Sequence, residues 1–141
     1  MAEFRIRTGP RAIFGLLGAE FVPSDADTLE VEILCSEDTT APFEGSLSDG
    51  VDRACLGLPE EYANAIVSAI TTQPGDAALK LGSGRLRFDC AAHGEVGSSH
   101  FGFSRLTGIL LELLAVEDAG TSPESLSAIF ERTFLGRAGR F

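Results

Sequence analysis

The residue types closest to chemistry are concentrated in one stretch, Ala91-Ala92-His93-Gly94-Glu95-Val96-Gly97-Ser98-Ser99-His100. Two histidines flank a carboxylate and two hydroxyls, the groups of a nucleophile with its base or of a metal site. A nucleophile needs an oriented base, and a metal site needs a third ligand at a suitable spacing. Neither is present in a diagnostic pattern, because His100 falls inside the following helix and His93 before it. The simpler reading is that Ser98 or Ser99 caps that helix and that the histidines are solvated. The candidate binding loop is therefore His93, Gly94, Glu95, Ser98, Ser99 and His100, with no residue assigned to catalysis, a cofactor or a metal.

A second cluster is acidic. Asp25, Asp27, Glu30, Glu32, Glu37 and Asp38 follow one strand and its flanking loops. Calcium would require a tight loop of oxygen ligands with a turn glycine, and that pattern is missing. The remaining readings are a solvated face or a surface for a basic partner, for which Glu30, Glu32, Glu37 and Asp38 are the candidates. Arg85 and Arg87 suit cross-strand pairing with this acidic strand better than phosphate binding. Gly82-Ser83-Gly84 lacks the helix start that a phosphate loop needs.

Charge narrows the partners. The formal net charge is −10, which repels nucleic acid on average and makes direct binding to it weak at best. Arg5, Arg7 and Arg11 near one end and Arg132, Arg137 and Arg140 near the other would form a basic patch if the termini met; otherwise they are solvated. The three cysteines, Cys35, Cys55 and Cys90, have no CxxC spacing, and read as buried thiols of a reducing cytoplasm. No apolar run approaches the roughly 20 residues of a membrane span, and the first residues lack the pattern of a secretory leader. A cytoplasmic protein is expected.

Elements must position these groups. Glu3-Phe4-Arg5-Ile6-Arg7-Thr8 alternates as a half-buried strand ended by Gly9-Pro10. Residues 12–22 predict a second strand with a bend at Gly18. Residues 28–35 alternate apolar and acidic side chains, predicting a strand whose outward glutamates suit an antiparallel sheet with one wet face. Residues 43–55 are broken by glycines, though Val51 and Cys55 hint at a short strand. Pro59-Glu60-Glu61 starts a helix with a proline and two acids at its positive end, and Tyr62, Ala65, Ile66, Ala69 and Ile70 form its buried stripe to about Thr72. Residues 85–91 alternate as another strand. The longest apolar helix follows, with Phe103, Leu106, Ile109, Leu110, Leu113 and Leu114 on one face. A last helix over 121–135 and a loose tail over 136–141 complete a single domain, 1–141. The order β-β-β-α-β-α plus a C-terminal helix predicts an α+β two-layer sandwich, an antiparallel or mixed four-stranded sheet with helices on one face.

Two of these segments carry a resemblance. Leu58-Pro59-Glu60-Glu61-Tyr62-Ala63-Asn64-Ala65-Ile66 resembles the P-x-E-Y-x-x-A-V helix of domain IV of translation elongation factor G. Glu95-Val96-Gly97-Ser98-Ser99-His100-Phe101-Gly102-Phe103 resembles that domain's [DE]-V-D-S-S-E-x-A-F helix start. The two stand in the family's order with a strand between them, and the resemblance spans residues 28–114. It implies a fold like the second domain of ribosomal protein S5, including a βαβ unit. It also implies contact with the small ribosomal subunit through tip loops, where His93 and Glu95 would be contact residues. The chain departs from the family at Gly97 and His100, where acids are expected. It also lacks the glycine-rich first tip loop, shortens the second, and contains no G-x-x-x-x-G-K-[ST]. The expected function is a non-enzymatic binding module, associating with the ribosome or translation machinery. The alternative is an acidic protein-binding or immunity-type inhibitor module that reuses the scaffold.

Overall fold

Period-two alternation in the chain's first third becomes strand, and the two apolar stripes further on become the helices that cover it. The computed structural model describes residues 2–8, 11–36, 38–44, 52–72, 81–115 and 122–130. Its strands are β1 (Ala2–Thr8), β2 (Arg11–Pro23), β3 (Leu29–Ile33), β4 (Ala54–Leu56) and β5 (Gly84–Gly94). Its helices are α1 (Glu60–Thr72), α2 (His100–Ala115) and α3 (Pro123–Phe130). The sheet runs β1-β2-β5-β3, and the short β4 pairs with β5 off that path. β2 is antiparallel to both of its neighbours, β1 and β5, whereas β3 lies parallel to β5. The sheet is therefore mixed, the second of the two arrangements expected from the sequence. The glutamates of β3 share the solvent face with Arg85 and Arg87 through strand alternation, and the chain returns through α1 to run parallel with β3.

A bulge sets the phase of the central strand. Ala19 pairs with Phe88 and Gly18 with Cys90, so Asp89 is an extra residue on β5. Inward positions run Leu86, Phe88 before it and Ala91 after it. A side chain at Gly18 would bring a Cβ within 2.9 Å of the Cys90 Cβ. Glycine is what permits this close crossing at the bend. The same phase change explains a wrong expectation. Cys55 is buried, but Cys35 and Cys90 are exposed: Cys90 follows the extra residue, and Cys35 lies beyond the end of β3.

All three helices contribute to one core on one face of the sheet. Tyr62, Ala65 and Ile66 from α1, Phe103, Leu106, Ile109 and Leu110 from α2, and Ile129 from α3 pack with Leu17, Leu86 and Phe88. Each large side chain so buried contributes about 1.5–3 kcal/mol. On the opposite face Phe14, Leu16, Ala54 and Ala92 form a smaller cluster with Phe43 against it. Here the outer face is not wet: residues 41–43 pair back on β4, with the Phe43 N–H on the Ala54 carbonyl at 2.9 Å. Among the described residues no helix is long and apolar enough to cross a membrane. The last residues of the expected C-terminal helix, Glu37 and the tail 136–141 lie outside the described residues.

Candidate functional site: the tip between β5 and α2

β5 runs to Gly94, three residues further than its alternation predicts, so the loop before α2 is only 95–99. His93 and Gly94 thus belong to a strand, and the tip loop is shorter than the sequence suggests. The extension follows from β4, which pairs Ala54 with Gly94 and Cys55 with His93.

Nearly every polar group of this loop is committed to holding its shape. The Ser98 hydroxyl accepts from the Gly94 N–H at 2.8 Å and donates to the Phe14 carbonyl at 2.7 Å. Phe14 in turn donates its N–H to the Gly97 carbonyl at 3.0 Å. The Asp52 carboxylate accepts from the N–H groups of Val96 at 3.3 Å and Gly97 at 2.8 Å. A β-carbon on Gly94 would collide with this carboxylate, so a side chain there would displace Asp52 from the loop. Ser99 is the helix cap, its hydroxyl accepting from the Gly102 N–H at 3.1 Å. Tyr62 donates its phenol to the Ser98 carbonyl at 3.2 Å and stacks on Phe103 at 4.7 Å between ring centroids.

Both histidines lie near the same phenol ring. His93 lies 6.2 Å and His100 6.1 Å from the Tyr62 ring. His93 is buried, its Nδ1 3.2 Å from the Gly57 carbonyl. A carbonyl only accepts, so Nδ1 carries the hydrogen. Gly57 has φ +104, and Ser36 crosses so close that a side chain there would not fit. His100 is exposed. The structure therefore brings Ser98, Ser99, His93 and His100 together, but neither serine bonds to an imidazole. Among the described residues no three histidine, cysteine or acidic side chains are arranged to hold a metal. Burial raises the Tyr62 phenol above its ordinary 10.0, with the neighbouring Glu61 charge adding to the effect.

What the clamp presents outward is apolar with balanced charge. Val96 is 85% exposed. Arg53 and Glu95 form an exposed pair at 3.4 Å, and the Arg105 guanidinium lies 4.9 Å from the centroid of the exposed Phe101 ring. Sequence reasoning missed Asp52 and Arg53, which come from the stretch with no periodicity.

The acidic candidates fall elsewhere. Glu30 faces Arg85 and Glu32 faces Arg87, each at 3.6 Å across the β3–β5 pair. This is the cross-strand pairing that alternation of arginines on one strand and glutamates on the other predicts. Asp38 accepts from the Thr40 hydroxyl at 2.7 Å and its N–H at 2.9 Å. The hydroxyl bond first, then the N–H, holds its carboxyl below the ordinary 3.8. Glu37, the fourth acid, lies outside the described residues.

Two clefts, of about 290 and 260 Å3, lie by Arg85 and by Cys90. They fall below the range of typical ligand pockets, and neither includes a residue of the tip loop. No family model, no curated protein and no solved structure matches this chain.

Proposed function

We propose that this chain is a non-enzymatic binding module that docks through its tip on the translation machinery, with the small ribosomal subunit as the partner. The observation that carries the reading is the rigid presentation of Val96. Asp52, Ser98 and Phe14 all hydrogen-bond to the loop or its flanks, and Val96 at its centre is 85% exposed. A preformed loop loses little conformational freedom on docking, which favours a contact surface. The hydroxyls of Ser98 and Ser99 are engaged in bonds to the backbone, so neither is poised as a nucleophile.

The choice of partner rests on the resemblance to domain IV of elongation factor G. The element order, and the parallel β3 and β5 joined through α1, are compatible with the βαβ unit that resemblance implies. The tip's charge balance favours a protein component of the subunit over bare phosphate. The setting is a reducing cytoplasm. The alternative, an acidic immunity-type module facing its partner with Glu30, Glu32, Glu37 and Asp38, has less support. Its described acids do not form one continuous face: Asp38 is held by Thr40, while Glu30 and Glu32 stand on the sheet edge beside Arg85 and Arg87. Co-sedimentation with purified small subunits at low salt tests the proposal: the chain pellets with them if it is right. A chain that stays wholly in the supernatant, while a protein partner is recovered whose binding is lost on reversing Glu30 and Glu32, would establish the alternative instead.

A further inference from the structure

Among the described residues β3 ends the sheet, and nothing there pairs with its outer backbone groups. The Thr28 carbonyl accepts from the Gly84 N–H at 3.2 Å, and the Leu34 N–H donates to the Phe88 carbonyl at 3.0 Å. Even-numbered residues of this segment therefore face β5. In a parallel pair the alternate residues turn both their groups the other way. Leu29, Val31 and Ile33 thus direct N–H and C=O off the sheet, and among the described residues no strand pairs with them. The Val31 side chain is 37% exposed at this edge. An open edge is a template for another extended chain.

Charge across the sheet identifies the chain that fits. Glu20 on β2, Arg87 on β5 and Glu32 on β3 stand in one row, so the signs alternate minus, plus, minus. In the next row but one Arg85 faces Glu30. The sheet ends on two carboxylates, and a further strand would continue the alternation only if it were basic. A second copy paired through its own β3 would place acid against acid in either direction, and any second copy brings another body of net charge −10. We infer that the outer edge of β3 docks an extended basic segment of a protein partner, added as a further strand. Its cations lie beside Glu30 and Glu32, and an apolar residue between them covers Val31. The acids that oppose self-pairing are also the ones that select this partner. β3 lies along the start of β5 and the tip at its far end, so this inference stands whatever the tip binds.

The probe is a capped seven-residue peptide alternating arginine and valine, added to the intact chain. We expect binding that slows amide exchange at Leu29, Val31 and Ile33. N-methylation of alternate peptide amides, which keeps the charge but removes the ladder donors, weakens binding at least about tenfold. The double variant Glu30→Lys, Glu32→Lys loses the arginine peptide and takes up its glutamate–valine counterpart. Equal binding of the N-methylated peptide would reduce the edge to plain charge attraction and overturn the inference. So would no binding at all, protection confined to other strands, or slowed exchange at these amides through self-association without peptide. Should the double variant fail to fold, the N-methylated peptide on the unaltered chain decides alone.

Discussion

Ser98 uses its hydroxyl in both directions, accepting from Gly94 and donating to the Phe14 carbonyl. Replacing it with alanine leaves two partly buried backbone groups without a partner, a cost of about 1–3 kcal/mol. Urea unfolding of Ser98→Ala is expected to show that loss, and an unchanged midpoint would mean the loop is held without it. Tyr62 offers a second residue-scale check, because the chain has one tyrosine and no tryptophan. Its tyrosinate absorbance should titrate above the ordinary 10.0. A raised pKa in the folded state means the contribution is complete below the unfolded value and is lost as pH climbs through the folded one. Tyr62→Phe should therefore decline less steeply in alkali than the parent. The serine cap was legible in the sequence, since a cap and its helix are neighbours. Asp52 was not, because the N–H groups it accepts from lie 44 and 45 residues away, and no local pattern marks such a partner.

At the level of elements, periodicity located the helices and most strands because each buries one face. The buried stripe of α1 and that of α2 face a common core, as their three- and four-residue spacings require. What periodicity missed was phase. The extra residue at Asp89 shifts every later position of β5 by one, so Cys90 points outward while the uninterrupted alternation places it with Leu86 and Phe88. A thiol reagent tests this directly. In the native protein Cys35 and Cys90 should react readily, whereas Cys55, 2% exposed, should react only on unfolding. A slow Cys90 would argue against the bulge. The parallel pairing of β3 was also hidden, since outward glutamates mark a wet face and not a strand direction.

For the molecule as a whole, charge and shape point to different surfaces. The net charge of −10 opposes phosphate-led binding, and the basic side chains of β5 are turned toward the glutamates of β3. The tip, by contrast, combines an exposed apolar side chain with an Arg53–Glu95 pair that adds little to stability at that exposure. Contact there should depend only weakly on salt, unlike binding that releases counterions from nucleic acid. The most direct measurement is the affinity for purified small ribosomal subunits of the parent chain and of Val96→Asp, a change at a side chain that packs against almost nothing. If the tip docks, the parent co-sediments at low salt and the variant, with unchanged thermal stability, binds at least about tenfold more weakly. Equal binding by the variant, or no binding by the parent, would contradict docking through the tip.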